Sequence, residues 1–349
     1  MDERLIDMIN IHKSFGSSEV LCDINLYIRK NEFVTLLGPS GCGKTTTLRI
    51  IGGFETATSG ELLFEGKDIL RLPPHMRKVN TVFQKYALFT HMNVKDNVAF
   101  GLTIKKADKK TINKKVEAML ELVNLSGFEK RSINSLSGGQ QQRVAIARAL
   151  AADPAMLLLD EPLGALDLKE RRRMQVELKN LQRQLGITFL YVTHDQDEAL
   201  AVSDIIAVMN NGVIQQIDTP ENIYNEPKNS FVADFIGESN IIGGVMCEDY
   251  KVQFSSVLFD CLDGGFAASE PVDVVIRPED IITAPVGECQ LTGIVETVAF
   301  KGVHYLMHIV SDKDGYVWRV KSTKMLPAGT ATGLVIGPDA IHVMKRTPA

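Results

Sequence analysis

The chain contains 349 residues, enough for two domains, and its 45% hydrophobic and 23% charged residues are an ordinary composition for a globular protein. The net charge of −5 argues against a nucleic-acid partner, because binding to a polyanion requires a basic surface. No apolar run approaches the roughly 18 residues that predict a transmembrane helix, and the first residues lack the basic and apolar regions of a secretory signal.

Five cysteines are scattered along the chain, and no two of them form a C-x-x-C pair; they are Cys22, Cys42, Cys247, Cys261 and Cys289. Their odd number and irregular spacing argue against a disulfide framework and against a zinc site. This use of cysteine favours a reducing compartment such as the cytosol.

Residues 5–37 are predicted to form strands, because apolar and polar residues alternate over much of segments 5–11 and 22–28. A turn is predicted between these segments, where Gly16 is followed by two serines. Phe15 immediately precedes this turn. An aromatic ring there can stack on a purine, but a single phenylalanine is more typical of a core, and the residue pattern alone predicts a core position.

A glycine-rich loop lies between an apolar run at residues 32–37 and a helix-like segment at residues 47–52. The loop follows the P-loop pattern G-x-x-x-x-G-K-[ST], and its residues are Gly38, Pro39, Ser40, Gly41, Cys42, Gly43, Lys44, Thr45 and Thr46. Glycines let successive N–H groups point at a phosphate chain, and the helix behind adds the positive end of its dipole. Lys44 is predicted to reach the β- and γ-phosphates, and Thr45 to ligate Mg²⁺. The loop therefore predicts binding of a nucleoside triphosphate with Mg²⁺.

Residues 60–130 are predicted to form a hairpin at 61–66, a buried strand at 79–84 and helices over 93–130. Gln84 at the strand end is either a plain terminal residue or an amide directed to Mg²⁺ or to an attacking water. The helical part is rich in lysine, at Lys105, Lys106, Lys109, Lys110, Lys114 and Lys115. Nearby acidic residues favour a solvated face over a surface for anionic lipid or nucleic acid.

Residues 136–140 precede a segment that strongly favours helix. Ser137 is predicted to cap this helix, with Gly138, Gly139 and Gln140 in its first turn. The free N–H groups of a helix start form an anion site. An ordinary cap would not require two glycines, so their presence favours close approach of a ligand to the backbone.

An apolar strand is predicted at residues 155–159, and it ends in the two carboxylates of Asp160 and Glu161. The carboxyl end of a strand in a parallel sheet is where such sheets bind ligands. Asp160 is predicted to hold Mg²⁺, and Glu161 to polarise the hydrolytic water either as a general base or as a residue that orients it. The alternative is that the pair only caps a helix.

A turn at residues 164–167 leads into a charged helix over 169–185, which is followed by an apolar strand at 188–193. His194 after this strand is either the first residue of a helix or a hydrogen-bond donor to a γ-phosphate. Residues 205–217 are predicted to form a hairpin with an Asn-Gly turn.

The chain changes character after residue 237, where short strand-like stretches replace the Leu-rich helices; these stretches are 272–276, 290–300, 305–310 and 316–320. The predicted fold is therefore an α/β P-loop NTPase domain at residues 1–237 and a small all-β barrel domain at 238–349. A helical subdomain is predicted at about residues 90–150.

Residues 5–237 resemble the nucleotide-binding subunits of ABC transporters. The P-loop, Gln84, the segment 136–140, Asp160 with Glu161, the turn at 164–167 and His194 all occur in that family's order. The discriminating feature is the 136–140 signature between a P-loop and an Asp-Glu pair. The resemblance implies that Phe15 stacks on adenine, which replaces the core position inferred from the residue alone.

The resemblance further implies that two subunits pack head to tail and enclose ATP between the P-loop of one and Ser137 and Gly139 of the other. It assigns Glu161 to the water, and His194 and Gln84 to the γ-phosphate. Residues 89–94 are then expected to contact the transporter. Hydrolysis opens the dimer, and the membrane subunits change their access state.

Residues 212–237 narrow the resemblance to the importer branch for sugars, polyamines and some anions, whose tail is an OB-like, TOBE-type barrel. Residues 136–143 and 235–241 are most similar to the spermidine and putrescine members of that branch. The implied partners are two transmembrane permease subunits and an extracytoplasmic solute-binding protein, and the implied location is the cytoplasmic face of the cell membrane.

Three functions remain in competition at this point. The first is an ATPase that drives import of a polyamine, or of another solute such as a sugar or iron. The second is a soluble ABC-type ATPase acting on nucleic acid or translation, which would be expected to carry a coiled-coil insert or a second P-loop. The third is chiefly a regulatory module, against which the presence of Glu161 and His194 argues.

Overall fold

The computed structural model describes residues 3–164 and 166–346, which divide into two compact units between Pro220 and Glu221. In the first unit the strands are β1 (Arg4–Phe15), β2 (Ser18–Arg29), β3 (Phe33–Leu37), β4 (Ser59–Phe64), β5 (Lys67–Asp68), β6 (Val79–Val82), β7 (Met156–Asp160), β8 (Thr188–Thr193), β9 (Ile205–Asn210) and β10 (Val213–Asp218). Its helices are α1 (Lys44–Gly52), α2 (Val94–Ile104), α3 (Lys109–Leu122), α4 (Gly138–Ala151), α5 (Leu168–Leu185) and α6 (Gln196–Val202).

A six-stranded sheet with the order β10-β9-β3-β8-β7-β6 forms the centre of the first unit. Its strands are parallel except β10, which pairs antiparallel with β9. All residues of β3 and β8 are buried, as expected for strands that are covered on both faces. Because the strands are parallel, the segments that follow β3, β7 and β8 leave the sheet at one edge.

Two apolar clusters cover the two faces of this sheet. One contains the antiparallel sheet β2-β1-β4-β5 together with α1, and includes Leu21, Leu48 and Leu158. The other contains the mutually packed helices α2, α3 and α4 and part of α5, and includes Val98, Leu120 and Leu178. The predicted helical subdomain near residues 90–150 corresponds to these three helices. Its first two helices are capped by Asn93 and Asp108, whose side chains accept hydrogen bonds from the first turn.

The second unit begins with the short helices α7 (Pro220–Asn225) and α8 (Ser230–Phe235). Its strands are β11 (Asn240–Glu248), β12 (Lys251–Phe254), β13 (Val257–Asp260), β14 (Glu270–Ile276), β15 (Ile281–Ala284), β16 (Leu291–Phe300), β17 (Tyr305–Ser311), β18 (Val317–Ser322), β19 (Ala331–Ile336) and β20 (His342–Lys345). They form two antiparallel five-stranded sheets, β13-β12-β11-β14-β20 and β15-β19-β16-β17-β18. Residues of both sheets share one core, in which Trp318 is fully buried. The predicted all-β second domain is confirmed.

The division between the units falls 17 residues before the sequence-based limit at residue 237 (237 minus 220). The reason is Arg277, which is only 5% exposed and binds the segment that contains α7 and α8. Its guanidinium donates hydrogen bonds to the carbonyl oxygens of Tyr224 and Ala233, at 2.5 and 3.1 Å, and to Ser239 Oγ at 2.5 Å. A sequence pattern does not reveal that two short helices pack against the β unit rather than the α/β unit.

None of the helices in the described parts of the chain combines the length and the hydrophobicity needed to cross a membrane.

One buried arginine fixes the C-terminal end of α1, the helix that follows the P-loop. Arg77 is 7% exposed, and its guanidinium donates to the carbonyl oxygens of Ile50 and Ile51 at 2.6 and 2.8 Å. It also donates to the carbonyl oxygens of Leu70 and Leu72, at 3.0 and 2.8 Å. The last carbonyls of a helix have no partner within the helix, and Arg77 supplies one.

We expect Arg77→Ala to lower the free energy of unfolding of the first unit by at least about 1.5–3 kcal/mol, the worth of one hydrogen bond to a charged group. Arg77→Lys keeps the charge but not the planar guanidinium group. Its free energy of unfolding should therefore fall by less than that of Arg77→Ala, but by a measurable amount. Denaturant titration with a probe in the first unit measures both changes. An unchanged midpoint in Arg77→Ala would contradict this role.

Candidate active site

The P-loop joins β3 to α1, and two of its glycines are required by geometry. A Cβ on Gly38 would lie 2.2 Å from the carbonyl oxygen of Met209, so no larger residue fits. Gly43 has a φ of 103°, and a Cβ there would lie 2.4 Å from Leu21 Cδ2. The loop is therefore held tightly against β9 and β2, which fixes the direction of its N–H groups.

Lys44 is the first residue of α1, and its side chain turns back under the loop. It is 4% exposed, and its Nζ donates to the carbonyl oxygens of Gly38 and Pro39, both at 2.8 Å. Cys42 lies beside it and is 3% exposed, and burial raises the pKa of its thiol. A buried thiol of raised pKa is unreactive, which agrees with a small side chain tolerated at that position.

Thr45 and Asp160 meet at the sheet edge. Thr45 Oγ1 donates to Asp160 Oδ1 at 3.0 Å, across a sequence separation of 115 residues. Burial raises the pKa of Asp160, an effect opposed by the Thr45 hydrogen bond and reinforced by the neighbouring Glu161. A hydroxyl and a carboxylate at this separation are hard oxygen ligands of the kind that Mg²⁺ prefers, so this pair fits the ion.

Glu161 stands at the centre of the predicted catalytic residues. Gln84 Nε2 donates to its Oε2 at 3.0 Å, and His194 Nδ1 lies 3.3 Å from its Oε1. The backbone of Glu161 has a φ of 43°, an uncommon conformation for a residue with a side chain. Its N–H donates to the carbonyl oxygen of Val192 at 3.0 Å, which attaches this turn to β8. The structure therefore brings together three residues that the sequence separates by up to 110 positions (194 minus 84).

A buried network that the sequence did not predict supports His194. Glu198 is 3% exposed and accepts hydrogen bonds from Tyr191 Oη at 2.6 Å and from Thr193 Oγ1 at 2.7 Å. Burial raises the pKa of Glu198. Because Thr193 immediately precedes His194, this network fixes the end of β8 and the start of α6. Glu198 occupies the third position of α6, where an acidic residue is common, so the pattern did not distinguish it from a helix cap.

Two further residues that the sequence did not single out hold the loop after Gln84. Arg148 on α4 donates to the carbonyl oxygens of Tyr86 and Ala87, at 2.9 and 2.8 Å. Asn97 is fully buried, and its amide bonds both the N–H and the carbonyl of Phe89, at 2.9 and 3.0 Å. Their partners are backbone atoms, 61 and 62 residues away for Arg148 and eight residues away for Asn97, and no local pattern reveals such contacts.

Ser137 caps α4 as predicted. Its Oγ accepts from the N–H of Gln140 at 3.4 Å, and the Gln140 side chain accepts from the N–H of Ser137 at 3.1 Å. A Cβ on Gly138 or Gly139 would meet no atom closer than 3.7 or 3.6 Å, an ordinary contact distance. The packing of this chain therefore does not require glycine at either position. These residues bond to one another and not to the P-loop.

Phe15 lies at the end of β1, and the core position inferred from the residue alone is wrong. Its side chain is 49% exposed, and Lys13 Nζ lies 4.5 Å from the centre of its ring. The exposure arises because Phe15 is the last residue before the β1–β2 turn, where the sheet no longer covers it. Residue 165, in the predicted turn at 164–167, lies outside the described residues.

Residues 21–164 match the ABC transporter family, and residues 274–344 match the TOBE domain. The spermidine/putrescine import ATP-binding protein PotA of Desulfitobacterium hafniense (strain Y51) is 62% identical over 346 residues, which cover 99% of each chain. The protein of the same name from Clostridium novyi (strain NT) is 60% identical, again over 99% of each chain. This chain belongs to the ABC transporter ATP-binding family.

The solved structure of cbiO1 from Clostridium perfringens, part of the ABC transporter complex cbiONQ, is similar to this ABC ATP-binding protein with a TM-score of 0.61. It is 28% identical, and the match covers 65% of this chain and 92% of that one. The predicted family and fold class, an ATP-binding P-loop domain followed by an all-β TOBE domain, are confirmed.

We expect Asp160→Asn to stabilise this ABC ATP-binding protein when nucleotide and Mg²⁺ are absent. The raised pKa of Asp160 means that the folded state holds the proton to higher pH than the unfolded chain does. The free energy of unfolding of the wild type therefore falls as pH rises from the ordinary carboxyl pKa through the folded one. Asparagine removes the charge and still accepts from Thr45.

Thermal unfolding in EDTA measures this effect as a pH series. The Tm of Asp160→Asn should exceed that of the wild type by about 2 °C or more near neutral pH. The difference should vanish at pH values below the ordinary carboxyl pKa. A variant that melts below the wild type near neutral pH would mean that the charge of Asp160 is stabilised by the fold.

Proposed function

We propose that this protein is the ATP-hydrolysing subunit of an importer for spermidine and putrescine. The observation that carries the catalytic part is Glu161, placed between Gln84 and His194 beside the Thr45–Asp160 pair. The similarity to two spermidine/putrescine import proteins over 99% of the chain supports the cargo.

ATP binding is assigned to the P-loop and to Phe15. The backbone N–H groups of residues 40–46 are assigned to the phosphates, and the Nζ of Lys44 exchanges its two carbonyl partners for phosphate oxygens. Ser40 and Gly41 are exposed at the mouth of the loop, where a phosphate chain has access. The exposed ring of Phe15 offers a flat face for adenine.

Mg²⁺ is assigned to Thr45 and Asp160, with Gln84 as a third oxygen ligand. Bound there, the ion would neutralise phosphate charge and orient the terminal phosphate. Burial raises the pKa of Asp160, and a bound cation would act in the opposite direction by favouring the ionised form.

Hydrolysis is assigned to Glu161 as the general base. A base must lie within about 2.6–3.2 Å of the proton it removes, and both carboxylate oxygens of Glu161 have partners at 3.0 and 3.3 Å. Each carboxylate oxygen can accept more than one hydrogen bond, so Glu161 can also accept one from an attacking water while Gln84 and His194 keep their contacts. His194 then donates to the γ-phosphate, and Gln84 reports whether that phosphate is present.

We assign the start of α4 to the ATP of a second subunit in a homodimer. Gly138 and Gly139 are not required by this chain's own packing, and Ser137 with Gln140 already satisfies the cap. A glycine pair that leaves the backbone accessible favours close approach of a phosphate from outside the chain. Each ATP is then enclosed by the P-loop of one subunit and residues 137–140 of the other.

The two transmembrane permease subunits are assigned to a groove of about 350 Å³ beside Gln84. Aromatic rings of Phe54, Phe83 and Phe100 line it, together with Arg148. Phe83 immediately precedes Gln84, so movement of a permease segment in the groove is transmitted to the catalytic residues through one peptide unit. An extracytoplasmic solute-binding protein delivers the cargo, and this subunit binds the cytoplasmic face of the membrane.

The Glu161→Gln variant should bind ATP with wild-type affinity, hydrolyse it about 10²–10⁴-fold more slowly, and accumulate as an ATP-bound dimer. Lys44→Ala should fail to bind ATP, because the phosphates lose their buried cation. ATP turnover, nucleotide binding and sedimentation measure the three effects.

Glu117→Gln is the matched control for Glu161→Gln, since it makes the same change at an exposed carboxylate of α3 that has no assigned role. It should retain ATP binding and should not trap the dimer in the same way. Normal turnover in the Glu161→Gln variant would refute the role assigned to that residue.

The cargo is tested by uptake of labelled spermidine in a strain that lacks this subunit. Complementation with the wild-type gene should restore uptake, and complementation with Glu161→Gln should not. Labelled maltose and ferric iron serve as parallel cargoes. If the gene restores uptake of sugar or iron but not of spermidine, the result would support the ATPase function and contradict the polyamine assignment.

A further inference from the structure

Three metal-ligating side chains from β1 and β2 meet on the first unit, outside the catalytic residues. His12, Glu19 and Cys22 each offer one ligand atom, and these atoms all lie within 4.8 Å of one another. His12 Nδ1 lies 3.1 Å from Glu19 Oε1. No role in ATP binding or hydrolysis has been assigned to any of the three residues.

Irregularities in β2 bring these side chains to one place. Between the pairs Lys13↔Leu21 and Ser14↔Glu19, β1 advances by one residue and β2 by two. Between Ile11↔Ile24 and Lys13↔Leu21, β1 advances by two residues and β2 by three. Each extra residue interrupts the alternation of side chains between the two faces of the sheet. Spacing in the sequence therefore gives no sign of the cluster.

The chemistry of the three ligands selects the metal. Thiolate, imidazole and carboxylate together are the ligand set of borderline-soft cations, of which zinc is the foremost, and not of Mg²⁺ or Ca²⁺. Bonds of about 2.0–2.3 Å in a tetrahedral site place neighbouring ligand atoms roughly 3.3–3.8 Å apart. The separations of up to 4.8 Å therefore require only small side-chain rotations.

Access from solvent and a free thiol also fit a bound cation. The side chains of His12 and Glu19 are 35% and 51% exposed, so an ion can enter from solvent. Cys22 is half-buried and has no disulfide partner. Three protein ligands leave the fourth tetrahedral position open to water or to an external ligand.

We propose that His12, Glu19 and Cys22 form a binding site for a single zinc ion. The scattered cysteines exclude a zinc site built from cysteine pairs, since the chain has no C-x-x-C pair. Here one cysteine acts with a histidine and a carboxylate. The alternative is that His12 and Glu19 form only an ion pair across the β1–β2 ladder.

The site is connected to the nucleotide loop through the backbone. The N–H of Cys22 donates to the carbonyl oxygen of Gly212 at 2.8 Å, and the N–H of Gly212 donates to the carbonyl oxygen of Cys42 at 3.2 Å. A metal that joins β1 to β2 here therefore restrains the elements that carry Phe15 and contact the P-loop.

The test uses the full chain, free of nucleotide and Mg²⁺, titrated with Co²⁺ and then with Zn²⁺. We expect one Co²⁺ per chain, with a thiolate-to-cobalt charge-transfer band that Zn²⁺ removes by displacement. Cys22→Ser should lose the band. Glu19→Gln should bind at least about 10- to 100-fold more weakly, since loss of even an outer partner of a ligand costs that much.

Cys247→Ser is the control, because Cys247 is also partly exposed but belongs to the second unit. This variant should keep the band and the affinity. Glu19 is exposed and glutamine has nearly the same shape as glutamate, so Glu19→Gln should fold normally. Zn²⁺ should raise the Tm of this variant less than it raises the Tm of the wild type. A band that persists in Cys22→Ser, equal affinity in Glu19→Gln, or no metal binding by the wild type would overturn the proposal.

Discussion

The parallel pairing of β3, β7 and β8 is the constraint on which the site depends. Leu37, Asp160 and Thr193 end these three strands, and the register places Leu37 opposite Thr193 and Asp160 opposite Val192. The segments that follow these strands therefore all leave the sheet at the same edge. The P-loop, the Asp-Glu pair and His194 converge for this reason, although their sequence positions are far apart.

Each component that meets at this edge has a local signal in the sequence. A glycine pattern marks the P-loop, and apolar runs that end in polar residues mark β7 and β8. Glu198, Arg148 and Asn97 have no such signal, since their partners are backbone atoms or side chains of other elements. Their contribution is to hold the catalytic residues in position, and only the tertiary structure reveals it.

Two further departures from expectation have the same origin. Phe15 is exposed because the sheet ends beside it, and the second unit begins at residue 221 because Arg277 binds α7 and α8. The cluster of His12, Glu19 and Cys22 arises from extra residues in β2. Each of these features depends on where an element ends or on where the register of a strand pair shifts. The periodicity of a sequence predicts the existence of an element better than it predicts its boundaries.

The central claim is that each ATP is enclosed by a P-loop from one chain and residues 137–140 from another. Two variants in the Glu161→Gln background separate these contributions: Lys44→Ala disables the loop, and Gly138→Asp places a negative charge at the helix start, where a Cβ has room. The measurement is the amount of ATP retained after gel filtration of each variant alone and of their mixture. We predict that neither variant alone retains ATP and that each mixed dimer retains one molecule of ATP. No retention by the mixture, or retention by either variant alone, would contradict it.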